Sequence, residues 1–335
     1  MSVTINDVAR KAQVGVGTVS RVINDHAAVS VDTRHKVQQA IQDLNYSPNP
    51  SAQRLSTGKT WQIAVILPYL TLSSYVERLR GIQEAVAETR YKPVLYSVGT
   101  AQQRDEYVAL LSSKHYVDGL LSISLSPTPQ ETLTLRNNQV PVVLIDACHD
   151  QLNHIYVDDV LGGEMATRHL IELGHEKIAY LSDARDHPFQ TSAAAARCAG
   201  YRRALQQASI PLREDYVMEG KIGREHAREM ARKLLSVEDP PSAIFTSCDT
   251  QAIGVLDAAR EMRVRVPEEL SVIGFDDVPE AEFVGLTTIA QPLYESGLLA
   301  GNMLIDTLED SPSRPRGKQL PIELIPRQTT APPSR

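Results

Sequence analysis

Thr4-Ile5-Asn6-Asp7-Val8-Ala9-Arg10-Lys11-Ala12-Gln13-Val14-Gly15-Val16-Gly17-Thr18-Val19-Ser20-Arg21-Val22-Ile23-Asn24 is the stretch on which the reading of this chain turns. Thr4 opens a helix with Asp7 three positions on, an arrangement like a capping box. Ile5, Val8, Ala9 and Ala12 then recur at helical spacing and make one apolar stripe. Gln13 to Gly15 break the pattern, and a second helix from about Val16 to Ile23 turns Val19, Val22 and Ile23 inward. Ser30 caps a third, in which Val37, Ala40, Ile41 and Leu44 again form a stripe. Three short amphipathic helices with a tight break between the first two fit a helix-turn-helix unit. The outward residues of the second helix, Gly17, Thr18, Ser20 and Arg21, are small or hydrogen-bonding, as entry into a major groove requires. By periodicity alone, a three-helix bundle with a solvated polar face fits equally well. A phosphate-loop reading of Gly15-Val16-Gly17 fails, because a helix precedes it and Ser20 stands where the third glycine belongs.

Charge is divided along the chain. Residues 1–60 carry seven Lys/Arg and four Asp, a balance of +3, and the other 275 residues carry 27 basic and 37 acidic side chains, a balance of −10. A positive segment on an acidic body points to the N-terminal part as the one that approaches a polyanion. With 42% hydrophobic and 22% charged residues among 335, disorder is excluded as the main state. The longest apolar runs, such as Ile63 to Leu67 and Val140 to Ile145, are too short to span a bilayer. The N-terminus lacks an apolar signal region, so a cytoplasmic protein without membrane attachment is expected. Cys148, Cys198 and Cys248 form neither a disulfide framework nor a metal motif, and no metal or cofactor is expected.

Pro48 and Pro50 stop the third helix, and Ser51 to Ser56 leave room for about one and a half helical turns before Gly58. So short a piece is unstable alone. It is either a flexible linker or a hinge that becomes helical on DNA and uses Leu55 as a minor-groove wedge.

The order and spacing of Thr4-Ile5-Asn6-Asp7-Val8-Ala9, Thr18-Val19-Ser20-Arg21-Val22-Ile23-Asn24, Val29-Ser30, Thr33-Arg34, Leu44-Asn45-Tyr46-Ser47-Pro48-Asn49 and Ala52-Gln53-Arg54-Leu55 resemble the signature of the LacI/GalR family of bacterial transcription regulators. The resemblance implies contact with double-stranded DNA as a homodimer on a palindromic operator. Val16 and Gly17 stand at base-reading positions, where valine suits a thymine methyl and glycine only allows close approach. Arg21 suits a bidentate guanine contact, and Thr18, Ser20, Asn24, Ser30 and Thr33 suit phosphates. Asn6 suits either, and Tyr46, Asn49, Ala52, Gln53 and Leu55 complete the expected set. Gly15 stands where a serine cap is usual.

Residues 61–328 alternate strand-like runs (Ile63–Leu67, Pro93–Ser97, Gly119–Ile123, Val142–Asp146, Ile178–Ser182, Ala243–Ser247, Ser271–Phe275) with helical patterns near 75–90, 102–114, 130–138, 159–173, 193–208, 225–236 and 250–263. Repeated βα units predict parallel, doubly wound sheets, here in two lobes, with ligands beyond the carboxyl ends of the strands. Segments such as Val117-Asp118-Gly119-Leu120, Val272-Ile273-Gly274-Phe275-Asp276-Asp277 and Leu286-Thr287-Thr288-Ile289-Ala290-Gln291-Pro292 resemble the family's effector core, which is similar to periplasmic sugar-binding proteins. The expected fold is thus an N-terminal all-α helix-turn-helix domain (1–46), a hinge (47–60, helical at about 50–56) and an α/β two-lobed periplasmic-binding-protein-like core (61–328). The amino lobe would comprise about 61–157 and 292–320, the carboxyl lobe about 158–291 and 321–328, and 329–335 would be a disordered tail.

The resemblance places Asp146, Arg197 and Asp276 at effector contacts, where two carboxylates accept from ligand hydroxyls and a planar guanidinium suits a hydroxyl-rich or carboxylate ligand. On residue type alone, an interlobe salt-bridge network is the commoner arrangement for such groups. Ile222 replaces a stacking aromatic, Cys248 a cleft asparagine, and Ser74-Tyr75 lie in a replaced first-lobe stretch. A sugar or sugar derivative, such as a sugar phosphate, is the family-level expectation. No nucleophile elbow, Walker loop or paired-metal motif suggests an enzyme, and His175 reads as structural.

Overall fold

The structure is a computed structural model that describes residues 3–23, 28–47, 58–183, 192–309 and 315–334. The chain divides into two units, Met1–Thr60 and Trp61–Arg335.

In the first unit α1 (Ile5–Ala12), α2 (Val16–Ile23) and α3 (Val31–Asp43) follow one another. The Asp7 carboxylate accepts from the Thr4 backbone N–H at 2.9 Å and from its hydroxyl at 2.7 Å, which fixes the start of α1. Gln13, left-handed at φ 55°, ends it. Ser30 caps α3 and accepts from the Thr33 N–H. Val8, Ala9, Ala12, Val19, Val22, Val37 and Ala40 form the core, with Ile5, Val14, Ile23, Val29, Ile41, Leu44 and Tyr46 packed around it. Val8, Val19 and Val37 are fully buried, each contributing roughly 1.5–3 kcal/mol.

The second unit holds two six-stranded sheets, ordered β11-β5-β4-β3-β1-β2 and β12-β10-β9-β8-β6-β7. The first is wholly parallel and comprises β1 (Gln62–Pro68), β2 (Lys92–Val98), β3 (Gly119–Ile123), β4 (Val142–Ile145), β5 (Asn153–Tyr156) and β11 (Gly317–Gln319). The second comprises β6 (Ile178–Asp183), β7 (Val217–Gly220), β8 (Ala243–Thr246), β9 (Ser271–Asp276) and β10 (Thr287–Ala290), all parallel, with β12 (Glu323–Ile325) antiparallel at its edge. Strands such as β1, buried at six consecutive positions, read as unbroken apolar runs because helices cover both faces. Those helices are α4 (Ser73–Val86), α5 (Ala101–Leu111), α6 (Pro129–Asn137), α7 (Asp159–Glu172), α8 (Ser192–Gln207), α9 (Arg224–Leu235), α10 (Asp249–Met262), α11 (Pro279–Phe283) and α12 (Leu293–Glu309).

α12 returns to the amino lobe, where Ala300 and Leu304 join the core of Ile63, Val65, Leu121 and Val143. The chain passes between the lobes after β5, after β10 and after β11. All seven expected strands and all seven helical patterns of the body are present. β5, β7, β10, β11, β12, α11 and α12 were not among those read from the residues.

The expected disordered tail at 329–335 is corrected by what residues 329–334 do. Thr329 is buried, accepts from Val272 N–H through its carbonyl at 2.7 Å, and joins Val272 and Thr287 through its hydroxyl. Ala331 N–H donates to Ser271 Oγ at 3.0 Å, and His175 Nε2 stands 2.9 Å from the Ala331 carbonyl. A proline-rich tail cannot make a regular strand, yet its remaining amides and carbonyls satisfy groups at the amino ends of β9 and β10. His175, 2% exposed and bonded through both ring nitrogens, is the structural residue expected.

Candidate functional site

Each lobe presents the carboxyl ends of its strands to one cleft, and the chain leaves several of those strands through left-handed residues. Tyr69 after β1, Ser124 after β3, Asp146 after β4, and Asp276 and Asp277 at the end of β9 all have φ between 50° and 120°. For residues other than glycine this backbone is costly, and its concentration at strand ends marks turns shaped to aim side chains. The cleft holds about 530 Å³ of space, counted to its open mouth. Ser74, Tyr75, Asp146, Arg197, Ile222, Cys248 and Asp276, all seven residues expected from sequence, line it. Arg78, Asp183, Ser247, Thr250 and Gln291 line it too and were not singled out.

The polar groups form a chain. Asp146 accepts from the Ser124 hydroxyl at 2.6 Å and lies 3.4 Å from Arg78. Arg78 donates to the Ser74 carbonyl at 3.2 Å and to the Gln291 amide oxygen at 3.1 Å. Gln291 donates to Asp276 at 2.5 Å. Arg197 Nε donates to Asp159 at 2.8 Å, while its Nη1 donates to the Ser247 carbonyl and lies 3.7 Å from Asp276. The guanidinium also stacks on Phe275, 3.6 Å from the ring centroid. The three residues face one cleft and are linked through a polar network completed by Arg78, Asp159 and Gln291.

Burial pushes the Asp276 carboxyl up to about 6, against the pull of Arg197 and Arg78. Burial also raises Asp159, opposed mainly by Arg197. Desolvation disfavours the Arg197 charge, but Asp159, Asp276 and Asp146 outweigh it and hold the guanidinium protonated beyond its usual range. Burial likewise raises the Cys248 thiol and the Tyr75 phenol, which leaves both as neutral hydrogen-bonding groups.

Backbone contact sets the height of both arginines. A Cβ on Gly163 of α7 would stand 2.1 Å from the Arg197 carbonyl oxygen, and one on Gly297 of α12 would stand 1.9 Å from that of Arg78. Only glycine allows α7 against α8, and α12 against α4, to come so close.

On the helical unit, Asn6, Val16, Gly17, Arg21 and Ser30 are exposed, and Thr18, Ser20, Thr33 and Tyr46 are half-buried. Val16 is 41% exposed on the surface of α2. A Cβ at Gly15 or Gly17 would meet nothing within 4 Å, so neither glycine is required by packing inside the unit. The Ser30 hydroxyl caps α3 and bonds Thr33 Oγ1 at 2.9 Å. Tyr46 packs on the helical core. Asn24, Asn49, Ala52, Gln53, Leu55 and the expected hinge helix at 50–56 lie outside the described residues. Among the described residues no cluster of three His, Cys, Asp or Glu is placed to hold a metal ion, and no helix is long and apolar enough to cross a membrane.

Residues 4–49 match the family of bacterial regulatory proteins, lacI family, and residues 167–330 match the periplasmic binding protein-like domain. Catabolite control protein A of Priestia megaterium is 33% identical over 336 residues, spanning 98% of this chain and 100% of its own. The chain belongs to the LacI family. A solved structure of this family, the lac repressor dimer bound to operator and the anti-inducer ONPF, matches with a TM-score of 0.83 and 27% identity over 99% of this chain and 100% of its own. The complex of the transcriptional regulator CelR with cellobiose matches with a TM-score of 0.71 and 29% identity over 98% and 99% of the two chains. As a LacI-family member the protein is a DNA-binding transcriptional regulator and not an enzyme.

Proposed function

We propose that this regulator acts in the cytoplasm as a repressor, binds a palindromic operator as a homodimer and is switched by a small molecule in the cleft between the lobes. The observation that carries the reading is the convergence of Ser74, Tyr75, Asp146, Arg197, Ile222, Cys248 and Asp276 on one cleft at the strand ends. The effector is a sugar or sugar derivative: Asp146 and Asp276 accept from its hydroxyls, and Arg197 donates to its oxygens. The cellobiose held by CelR is the precedent of that chemistry in a related chain.

On the DNA side, Val16, Gly17 and Arg21 of α2 face the major groove. Asn6, Thr18, Ser20, Asn24, Ser30, Thr33, Tyr46, Asn49 and Gln53 contribute base or phosphate contacts. Leu55, with Ala52, enters the minor groove at the operator centre. Two such units reach successive major grooves about 34–36 Å apart. Phe283, 89% exposed beside the partly exposed Val284, favours a second copy as the cover of that face.

The effector works by preferring one lobe arrangement over another, since equal affinity shifts nothing. The test is affinity selection of sheared genomic DNA by the purified full-length chain, followed by sequencing. A recovered palindrome supports the reading. No enrichment, with or without a small-molecule extract of cells, overturns it.

A further inference from the structure

This inference rests on the reading of the cleft as the effector site and asks what holds the lobes together before an effector arrives. α4 belongs to the amino lobe, and two of its side chains reach groups outside that lobe. Arg78, 3% exposed, lies 3.4 Å from Asp146 in its own lobe and donates to the Gln291 amide oxygen at 3.1 Å. Gln291 follows β10, on the segment by which the chain crosses back to α12. Its amide donates to the Asp276 carboxylate at 2.5 Å, and its backbone N–H donates to the Asp276 carbonyl at 3.4 Å. One residue of the crossing is thus gripped from both lobes. Closer to solvent, the Ser73 hydroxyl donates to Glu280 of α11 at 2.7 Å, a second tie from α4 to the carboxyl lobe.

Charge gives the first tie its weight. Asp146 of the amino lobe and Asp159 and Asp276 of the carboxyl lobe have side chains between 7% and 15% exposed. Burial chiefly raises the carboxyls of Asp159 and Asp276, Asp146 adds to both from across the cleft, and Arg78 opposes it. Carboxylates that face one another in a poorly solvated gap repel unless a cation stands between them. Arg78 stands in that place, and its bond to Gln291, a charged donor shielded from water, is of the stronger kind. The exposed bond of Ser73 to Glu280 competes with water and contributes less.

We propose that Arg78 and Gln291 form a lock built into the fold, which holds the lobes closed with no effector bound and which an effector opens by exchanging one of these partners for its own polar groups. The unliganded chain then rests in the closed arrangement, and the effector releases it.

The lock can be read without DNA or effector. Cys248 lines the cleft, where burial pushes its thiol up and so suppresses the reactive thiolate; opening restores both access and ionisation. Cys198, 5% exposed in the hydrophobic core of the carboxyl lobe, reports unfolding instead. The experiment follows the reaction of both with N-ethylmaleimide in the dialysed full-length chain, by peptide mass spectrometry. Arg78→Met and Gln291→Leu should each speed labelling of Cys248 about tenfold or more, as loss of one charge-assisted hydrogen bond allows, with Cys198 unchanged. Arg78→Met combined with Asp146→Asn should still label faster than the parent chain, although it regains stability, because the tie to Gln291 is gone. Ser73→Ala should change the rate by no more than about threefold. Unchanged Cys248 labelling in either single variant overturns the proposal, as does a rise that Cys198 matches in both, or a double variant as slow as the parent. If Arg78→Met alone unfolds, Gln291→Leu decides. Because the readout involves neither operator nor ligand, its failure leaves the effector reading standing, and a failed DNA selection leaves the lock measurable.

Discussion

Arg78 and Gln291 are 213 positions apart in the chain and 3.1 Å apart in the fold, a guanidinium of α4 donating to an amide carried on the segment that returns from β10 to α12. Because the same amide donates to Asp276, the contact ties a helix of the amino lobe to a strand end of the carboxyl lobe. The relative position of the lobes is thus registered in polar groups that line the cleft, where a ligand can rearrange them.

Arg78→Met should destabilise the second unit by about 3 kcal/mol, because it removes the ion-pair partner of the buried Asp146. Urea unfolding followed by circular dichroism measures the loss. Adding Asp146→Asn should restore much of it, and an equal or greater loss in the double variant would refute the pairing.

Arg21→Ala should weaken operator binding by roughly 1–3 kcal/mol and relax preference at one base pair. Arg21 is exposed on α2 and outside the helical core, so the melting temperature should not move. Fluorescence anisotropy with operator variants reads both effects. A uniform loss across all sequences would make Arg21 a phosphate contact instead.

Thr329→Val removes a buried hydroxyl that joins the Thr287 N–H and the Val272 carbonyl, and should cost about 1–3 kcal/mol. Deleting residues 329–335 should cost more. Unchanged thermal midpoints in both variants would show that the tail adds nothing to the carboxyl lobe.

His169 and His175 are both held below the ordinary histidine range, chiefly by burial. The folded state therefore prefers their neutral forms, and the unfolded chain takes up protons first, near pH 6.5. Their contribution is complete above that value and is lost as pH falls below about 6.5. Asp276, raised by its own burial, acts with the opposite sign on global stability, so a local readout is needed. Amide protection at Val272 and Thr287, which bond Thr329, should be flat from pH 8 to 7 and fall over the lower window. Protection that rises there would reverse the assignment.

Much of this was legible in the residues, and the misses have physical causes. The three short helices were read because their apolar positions keep one period over whole turns. The strands β5, β7, β11 and β12 are only partly buried and β10 opens on two threonines, so none carries the unbroken apolar run that made the equally short β4 and β8 legible. Arg78 carried a signal that went unread: Ser74, Tyr75, Arg78, Gly81, Ile82 and Val86 form the buried stripe of α4, so a cation there needs a buried partner. Asp159 gave no comparable sign, since an acid in the first turn of a helix is ordinary. Prolines made the tail look unstructured, although Thr329 and Ala331 pair with β9 one group at a time.

The close approaches at Gly163 and Gly297 make the two lobes mechanically alike. In each, the arginine that reaches the cleft is pinned through its own backbone by a neighbouring helix, and not by contacts of its side chain alone. The two guanidinium groups therefore stand as posts on closely packed helices, while Ser74, Ile222, Cys248 and Thr250 line the same cleft with their side chains. Change in what the protein recognises can proceed by exchange of those intervening side chains, with the spacing of the posts inherited unaltered.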